Sequence, residues 1–60
     1  MTGMDDIIKR FEDEKIEIVE VAQSLICDEV LVTILRKDQL TKATELGSGI
    51  TSNVKVTVFE

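Results

Sequence analysis

The apolar positions at the start of the chain have helical spacing. The first of them after residue 3 are Met4, Ile7, Ile8 and Phe11. Their intervals of three and four residues match one face of an α-helix. Asp5 and Asp6 stand in the first turn of this segment, where the helix dipole favours acidic side chains. We therefore predict an amphipathic helix over residues 4–14.

The next segment, residues 15–27, supports two interpretations. Its apolar positions extend the same helical stripe to about residue 27, but its first half is rich in β-branched residues, which favour strands. Strict alternation fails between Ile18 and Val19, so a strand here needs a bulge or burial on both faces. Without a bulge, Glu20 would lie on the buried side. We predict a strand over residues 15–22 and keep the continued helix as the alternative.

Two further strands are expected in the second half. Val30–Leu35 is an almost continuous apolar run, which is typical of a strand buried on both faces. We assign this strand to residues 29–36. Near the end of the chain, valines alternate with Lys55 and Thr57, the pattern of a half-buried strand. This second strand is predicted over residues 53–60.

A short helix is predicted between these two strands. Apolar residues at helical spacing follow Asp38, a residue type that often caps a helix amino terminus. Gly47 follows the last of them, where many helices end on a left-handed glycine. The helix is therefore expected over residues 39–46, and a turn-rich loop over residues 47–53.

Together these elements predict an α+β fold. We expect a small single domain over residues 1–60, with an N-terminal amphipathic helix, about three strands and one short helix. The last two strands would be parallel if the short helix is a crossover and antiparallel if it is an excursion. The sequence leaves both arrangements open.

The length of 60 residues argues for self-association. A domain of this size buries only about 60% of the surface that its unfolded chain exposes. Cys27 is the only cysteine and histidine is absent, which excludes an intrachain disulfide and a classical zinc site. We therefore expect oligomerisation to complete the fold, as a homodimer or a larger assembly.

Charge is distributed unevenly along the chain. The net charge is −5, made up of −6 in residues 1–29 and +1 in residues 30–60. Four acids of the first helix are expected to form a face for a basic protein partner: Asp5, Asp6, Glu12 and Asp13. The front half is poorly suited to nucleic acid, because phosphate binding needs cations. No stretch approaches the roughly 20 apolar residues of a membrane span and no basic-then-apolar leader is seen, so we expect a cytoplasmic protein.

Candidate catalytic groups are few. Without histidine or tyrosine, acid–base chemistry would need a carboxylate or a lysine with a shifted pKa. Cys27 has no histidine to activate it as a nucleophile. We predict that the chain is not an enzyme and that it has no cofactor and no metal. A small catalytic or metal-dependent subunit is a further alternative, which mutation of Glu20 or Cys27 would test.

One partial resemblance concerns residues 33–58. Thr33-Ile34, the sequence Glu45-Leu46-Gly47 at the end of a short helical stretch, and Val54–Val58 are similar in layout to the back half of AbrB/MazE-type swapped-hairpin domains. The resemblance covers less than half of the chain, and Leu35 stands where that family usually has proline. It implies a dimeric, DNA-binding transcription regulator or antitoxin. The basic residues available for nucleic-acid contacts would be Arg36, Lys37, Lys42 and Lys55.

Our leading functional hypothesis is a non-enzymatic interaction or regulatory module that binds a macromolecule as a homo-oligomer. The last strand is the expected interface, because an apolar strand at a sheet edge invites pairing with another chain. Its interface residues would be Val54, Val56, Val58 and Phe59. The DNA-binding regulator is the alternative.

Overall fold

The computed structural model describes residues 4–60 as two helices packed on a three-stranded sheet. In chain order the elements are α1 (Met4–Asp13), β1 (Ile18–Gln23), β2 (Val30–Ile34), a 3₁₀ turn (Lys37–Gln39), α2 (Leu40–Ile50) and β3 (Val54–Val58). The predicted α+β class, with two helices and three strands, is confirmed. The helix that was expected over residues 4–14 ends one residue earlier, at Asp13.

Helix α1 ends in a Schellman motif. The N–H of Ile16 donates to the carbonyl of Phe11 at 3.0 Å, and the N–H of Lys15 donates to the carbonyl of Glu12 at 2.9 Å. Lys15 has φ 59°, the left-handed conformation that this motif requires. Ile16 and Phe11 are both buried, which supplies the hydrophobic contact of the motif. The helix therefore stops before β1, and the alternative helix through residue 27 is wrong.

Strand β1 contains the bulge that its sequence required. Ile18 pairs with Ile34 and Glu20 pairs with Thr33, so Val19 is an extra residue in the antiparallel ladder. The bulge shifts the alternation by one position and leaves Glu20 exposed. The strand begins at Ile18 instead of residue 15, because the residues before it complete the cap of α1.

The sheet has the order β1-β2-β3, with β2 in the centre. Strands β1 and β2 are antiparallel, whereas β2 and β3 are parallel. This settles the pairing that the sequence left open: α2 lies in a crossover connection between two parallel strands. The expectation that β2 is buried on both faces is wrong, because Val30, Val32 and Ile34 are buried while Leu31 and Thr33 are only half-buried.

Helix α2 is longer than predicted. It runs to Ile50 instead of residue 46, and its capping residues differ from those expected. Asp38 does not cap the helix, because its carboxylate binds the guanidinium of Arg36, with an Oδ2–Nη2 distance of 2.7 Å. Gly47 is a buried residue within the helix, and no glycine in residues 4–60 has a positive φ.

The side chain of Gln39 joins the start of α2 to the connection between α1 and β1. Its Oε1 accepts from the N–H of Glu17 at 3.1 Å, and its Nε2 donates to the carbonyl of Lys15 at 2.9 Å. One amide thus satisfies two backbone groups that lie outside regular structure. It also links the backbone on either side of Ile16 to the second helix.

The core lies between the helices and one face of the sheet. Its buried apolar residues are Ile7, Phe11, Ile16, Val30, Val32, Ile34 and Ala43. Because both helices contribute to this cluster together with alternate residues of β2, both lie on the same face of the sheet. Among residues 4–60, neither helix is long and apolar enough to cross a membrane.

Candidate interaction surface

The face of the sheet opposite the core carries no element of the described chain, and we call it the uncovered face. Its members are Glu20, Ala22, Leu31, Thr33, Leu35, Lys55, Thr57 and Phe59. Thr33 and Thr57 lie at its centre, with their hydroxyl oxygens 3.3 Å apart. Leu35 and Phe59 lie at one end and are 50% and 55% exposed. The face is therefore mixed, with a polar centre and an apolar end.

Strand β3 forms one edge of the sheet, and two backbone hydrogen bonds define how that edge is oriented. The carbonyl of Asn53 accepts from the N–H of Val30 at 2.9 Å, and the N–H of Phe59 donates to the carbonyl of Ile34 at 2.8 Å. In a parallel ladder every second residue directs both of its backbone groups to the neighbouring strand. Odd-numbered residues of β3 therefore face β2, and the even-numbered ones face away from it.

The backbone groups that point away from β2 belong to Val54, Val56 and Val58. The N–H of Val54 donates to the carbonyl of Thr51 at 3.4 Å, so the free edge of β3 consists of the C=O of Val54 and the N–H and C=O groups of Val56 and Val58. The side chains of these valines are half-buried and pack against the core. Of the interface residues expected from the sequence, these three therefore offer backbone groups for pairing, and only Phe59 offers an exposed side chain. Such an edge pairs readily with another strand, unless it is protected.

The hairpin between β1 and β2 presents a second apolar feature, the hairpin tip, which consists of Leu25, Ile26 and Cys27. Leu25 is 99% exposed and Ile26 is 97% exposed, the two highest values among the large apolar side chains of residues 4–60. The thiol of Cys27 is free and exposed as well. Three consecutive apolar residues at a loop tip contribute nothing to the core, so their retention in solvent favours a binding role.

The loop around the hairpin tip is held by several polar contacts. The N–H of Ser24 donates to the carbonyl of Glu29 at 2.7 Å, which closes the loop. The Oγ of Ser24 accepts from the N–H groups of Ile26 and Cys27 at 3.3 and 3.5 Å. Asp28 has φ 52°, and its carboxylate accepts from Gln23 Nε2 at 3.3 Å. These contacts fix the backbone that displays the tip.

The hairpin tip was not predicted from the sequence. The favoured strand over residues 15–22 left Leu25 and Ile26 without an element, and the alternative helix placed them on its apolar stripe, since apolar residues are buried by default. The sequence does contain a signal for this loop. Ser24 precedes the tip and Asp28-Glu29 follows it, and the whole segment lies between two runs of β-branched residues. Such residues between strands indicate a hairpin loop.

The acidic residues predicted to form a partner face are all exposed on α1: Asp5, Asp6, Glu12 and Asp13. They share the helix surface with two cations. Lys9 and Arg10 line one shallow groove together with Asp6, Asp13 and Ile50. The surface of α1 is therefore mixed in charge, which weakens its attraction for a basic partner.

The basic residues proposed for nucleic-acid contacts do not converge within one chain. Arg36 and Lys37 follow the end of β2, where Arg36 is paired with Asp38. Lys42 lies on α2, and its Nζ donates to the carbonyl of Glu14 at 3.4 Å. Lys55 is on the uncovered face, opposite Leu31 near the start of β2. The set spans both layers of the fold.

The ion pair of Arg36 and Asp38 supplies the resolved pKa shifts in the described chain. The hydrogen bond from Arg36, reinforced by its positive charge, holds the pKa of the Asp38 carboxyl below its usual range. The same hydrogen bond and the charge of Asp38 raise the pKa of Arg36. Both side chains are more than half exposed, so the pair is a local surface feature.

The groups considered for chemistry are not assembled into a site. Glu20 is exposed on the uncovered face, and Cys27 is at the hairpin tip, where its Sγ lies 3.3 Å from Ser24 Oγ. Within residues 4–60, no cluster of three or more cysteine, aspartate or glutamate side chains could hold a metal ion.

Comparison with known proteins supplies no relative for this chain. No protein-family model matches the sequence. No curated protein and no solved structure matches it significantly.

Proposed function

We propose that this protein is a non-enzymatic interaction module that acts as a homodimer joined through β3. The observation that carries the proposal is the free edge of β3. The N–H and C=O groups of Val56 and Val58 and the C=O of Val54 point outward at a sheet edge, and the exposed Phe59 follows directly. A second copy of the same strand supplies matching donors and acceptors, so two sheets would join into one of six strands.

The small core supports self-association. Within residues 4–60, only seven apolar side chains are buried, and Phe11 is the one aromatic residue among them. For domains of this size, apolar burial and conformational entropy nearly cancel. Added strand pairing stabilises the folded chain by mass action, because the second copy binds the folded state alone.

The dimer would bind a protein partner through the hairpin tip. Leu25 and Ile26 are suited to an apolar pocket, and the adjacent Asp28 and Glu29 favour a basic rim around that pocket. A membrane surface is a poorer match, because the net charge of −5 is repelled by anionic lipids. The partner class is therefore a protein with an apolar pocket bordered by lysine or arginine.

Thermal unfolding at several protein concentrations tests the dimer. The midpoint should rise with concentration over a hundredfold range, because dissociation accompanies unfolding. Val58→Pro removes an N–H that points away from β2, and it should lower the midpoint and abolish its dependence on concentration. Thr57→Pro is the matched control. The N–H of Thr57 points towards β2, so losing that hydrogen bond should prevent folding. A wild-type midpoint that ignores concentration would contradict the proposal.

Site-specific crosslinking tests the hairpin tip. A photoreactive maleimide at Cys27 would trap a bound protein in lysate, and the trapped protein would then be purified and titrated against this chain. Leu25→Ser/Ile26→Ser should abolish that binding, and binding to the wild type should weaken as salt rises. Equal affinity for the double variant, or binding to neutral phosphatidylcholine vesicles instead, would exclude this role for the tip.

A further inference from the structure

We propose that the two copies of β3 pair antiparallel in one particular register, with Thr57 opposite Thr57 across the two-fold axis. This inference rests on the proposed function, because it specifies how the free edge is occupied. Its starting point is the orientation of the edge: Val56 and Val58 present both their N–H and C=O groups outward, and Val54 presents its C=O group. An isologous pair requires these even-numbered residues to exchange hydrogen bonds with each other.

This requirement leaves a small set of registers. In each allowed register, the two-fold axis passes between one residue of β3 and the same residue of the second copy. Three positions of the axis keep most of the strand paired. They place Lys55, Val56 or Thr57 opposite the same residue of the second copy. The three registers differ in which side chains of the uncovered face become neighbours across the axis, and in particular in how close the two copies of Lys55 lie.

Lysine repulsion disfavours the first two registers. With Lys55 opposite itself, two ammonium groups become direct cross-strand neighbours, which is destabilising. With Val56 opposite itself, the two lysines become diagonal neighbours at roughly 7–8 Å. With Thr57 opposite itself, the lysines are four residues apart along the strands, about 13 Å. The third register therefore relieves the repulsion.

The third register also gives Phe59 a partner. Lys55 then lies directly opposite Phe59 of the second copy, and this pair occurs twice by symmetry. Phe59 is 55% exposed in the single chain, and Lys55 is exposed on the same face. The aliphatic stem of lysine covers the ring, while its ammonium group gains a cation–π contact. The centre of the interface is a pair of threonines, whose hydroxyls hydrogen-bond across strands.

Disulfide trapping distinguishes the registers. In a Cys27→Ser background, the single variants Val56→Cys and Thr57→Cys each place one thiol on the strand and keep Lys55. A disulfide needs Cα atoms within about 6.8 Å, and directly opposed residues in an antiparallel pair are about 4.5–5.5 Å apart. The Thr57→Cys chain should form covalent dimers at least tenfold faster than the Val56→Cys chain. Equal or faster crosslinking of Val56→Cys would overturn the register.

Two further measurements complete the test. Mixing the Lys55→Cys and Phe59→Cys chains should give a mixed disulfide. Because both substitutions change only exposed side chains, this experiment still tests the register if Thr57→Cys fails to fold. Absence of the mixed species, measured by intact mass, would contradict the register. Light scattering of the Cys27→Ser parent shows whether a dimer exists at all. A monomeric parent would refute the proposed function, whereas a dimer with the wrong crosslink would refute the register alone.

Discussion

A Cβ atom on Gly47 would lie 2.8 Å from Cγ1 of Val54, so α2 can approach β3 this closely only because residue 47 has no side chain. The contact positions the strand whose outer edge is the proposed interface. Val54 is β-branched and stiff at χ1, which limits its ability to move aside. Gly47 is therefore a packing residue between helix and strand.

Gly47→Ala should destabilise the protein. Overpacking costs typically 1–3 kcal/mol, and the better helix propensity of alanine offsets about 1 kcal/mol of this. We expect a net loss of up to about 2 kcal/mol in the free energy of unfolding, measured with urea. Gly49→Ala is the matched control in the same helix, because an added Cβ there meets nothing within 4 Å. The control should stabilise by up to about 1 kcal/mol, and similar effects of both substitutions would disprove the packing role.

Lys15→Gly should stabilise the protein. The left-handed conformation at φ 59° costs roughly 1–2 kcal/mol for a residue with a Cβ, while glycine adopts it freely and loses more entropy on folding. We expect a net gain of about 1 kcal/mol in urea unfolding. Lys15→Ala separates the backbone effect from the loss of charge and should change stability by less than about 0.5 kcal/mol. If alanine stabilises as much as glycine, the Schellman geometry is not the cause.

The ion pair of Arg36 and Asp38 predicts a pH dependence with a definite sign. Because the pKa of Asp38 is lowered in the folded chain, the pair stabilises above the ordinary aspartate pKa of about 3.9. This contribution disappears as pH falls through the folded-state value. An NMR titration of the carboxyl carbon should give Asp38 a pKa below the ordinary aspartate value, and Arg36→Gln should return this pKa towards the ordinary value. An unchanged midpoint in that variant would show that Arg36 is not the cause.

Local patterns predicted the elements whose signals were unambiguous. The alternating valines gave β3, and the failed alternation at Ile18 and Val19 required the bulge that the structure contains. The end of α2 was misjudged because a glycine that terminates a helix and one that allows close packing look alike in sequence. The choice between them at Gly47 depends on Val54, seven residues away, which a local pattern does not include.

The candidate surface was predictable only in part. The sequence suggested that β3 lies at a sheet edge. Which of its residues direct their backbone groups outward became known only from the hydrogen bonds that join Asn53 and Phe59 to β2. The hairpin tip was missed for a physical reason. Burial of Leu25 and Ile26 is the default expectation for apolar side chains, and only the completed tertiary structure leaves both in solvent.

Homodimerisation through β3 doubles the mass of the wild-type protein in solution, which light scattering measures. Each chain has a mass of 6.7 kDa. Size-exclusion chromatography with light scattering at micromolar concentration should give twice this value, together with a circular dichroism spectrum of a folded protein. A folded species with the mass of a single chain at that concentration would contradict the account.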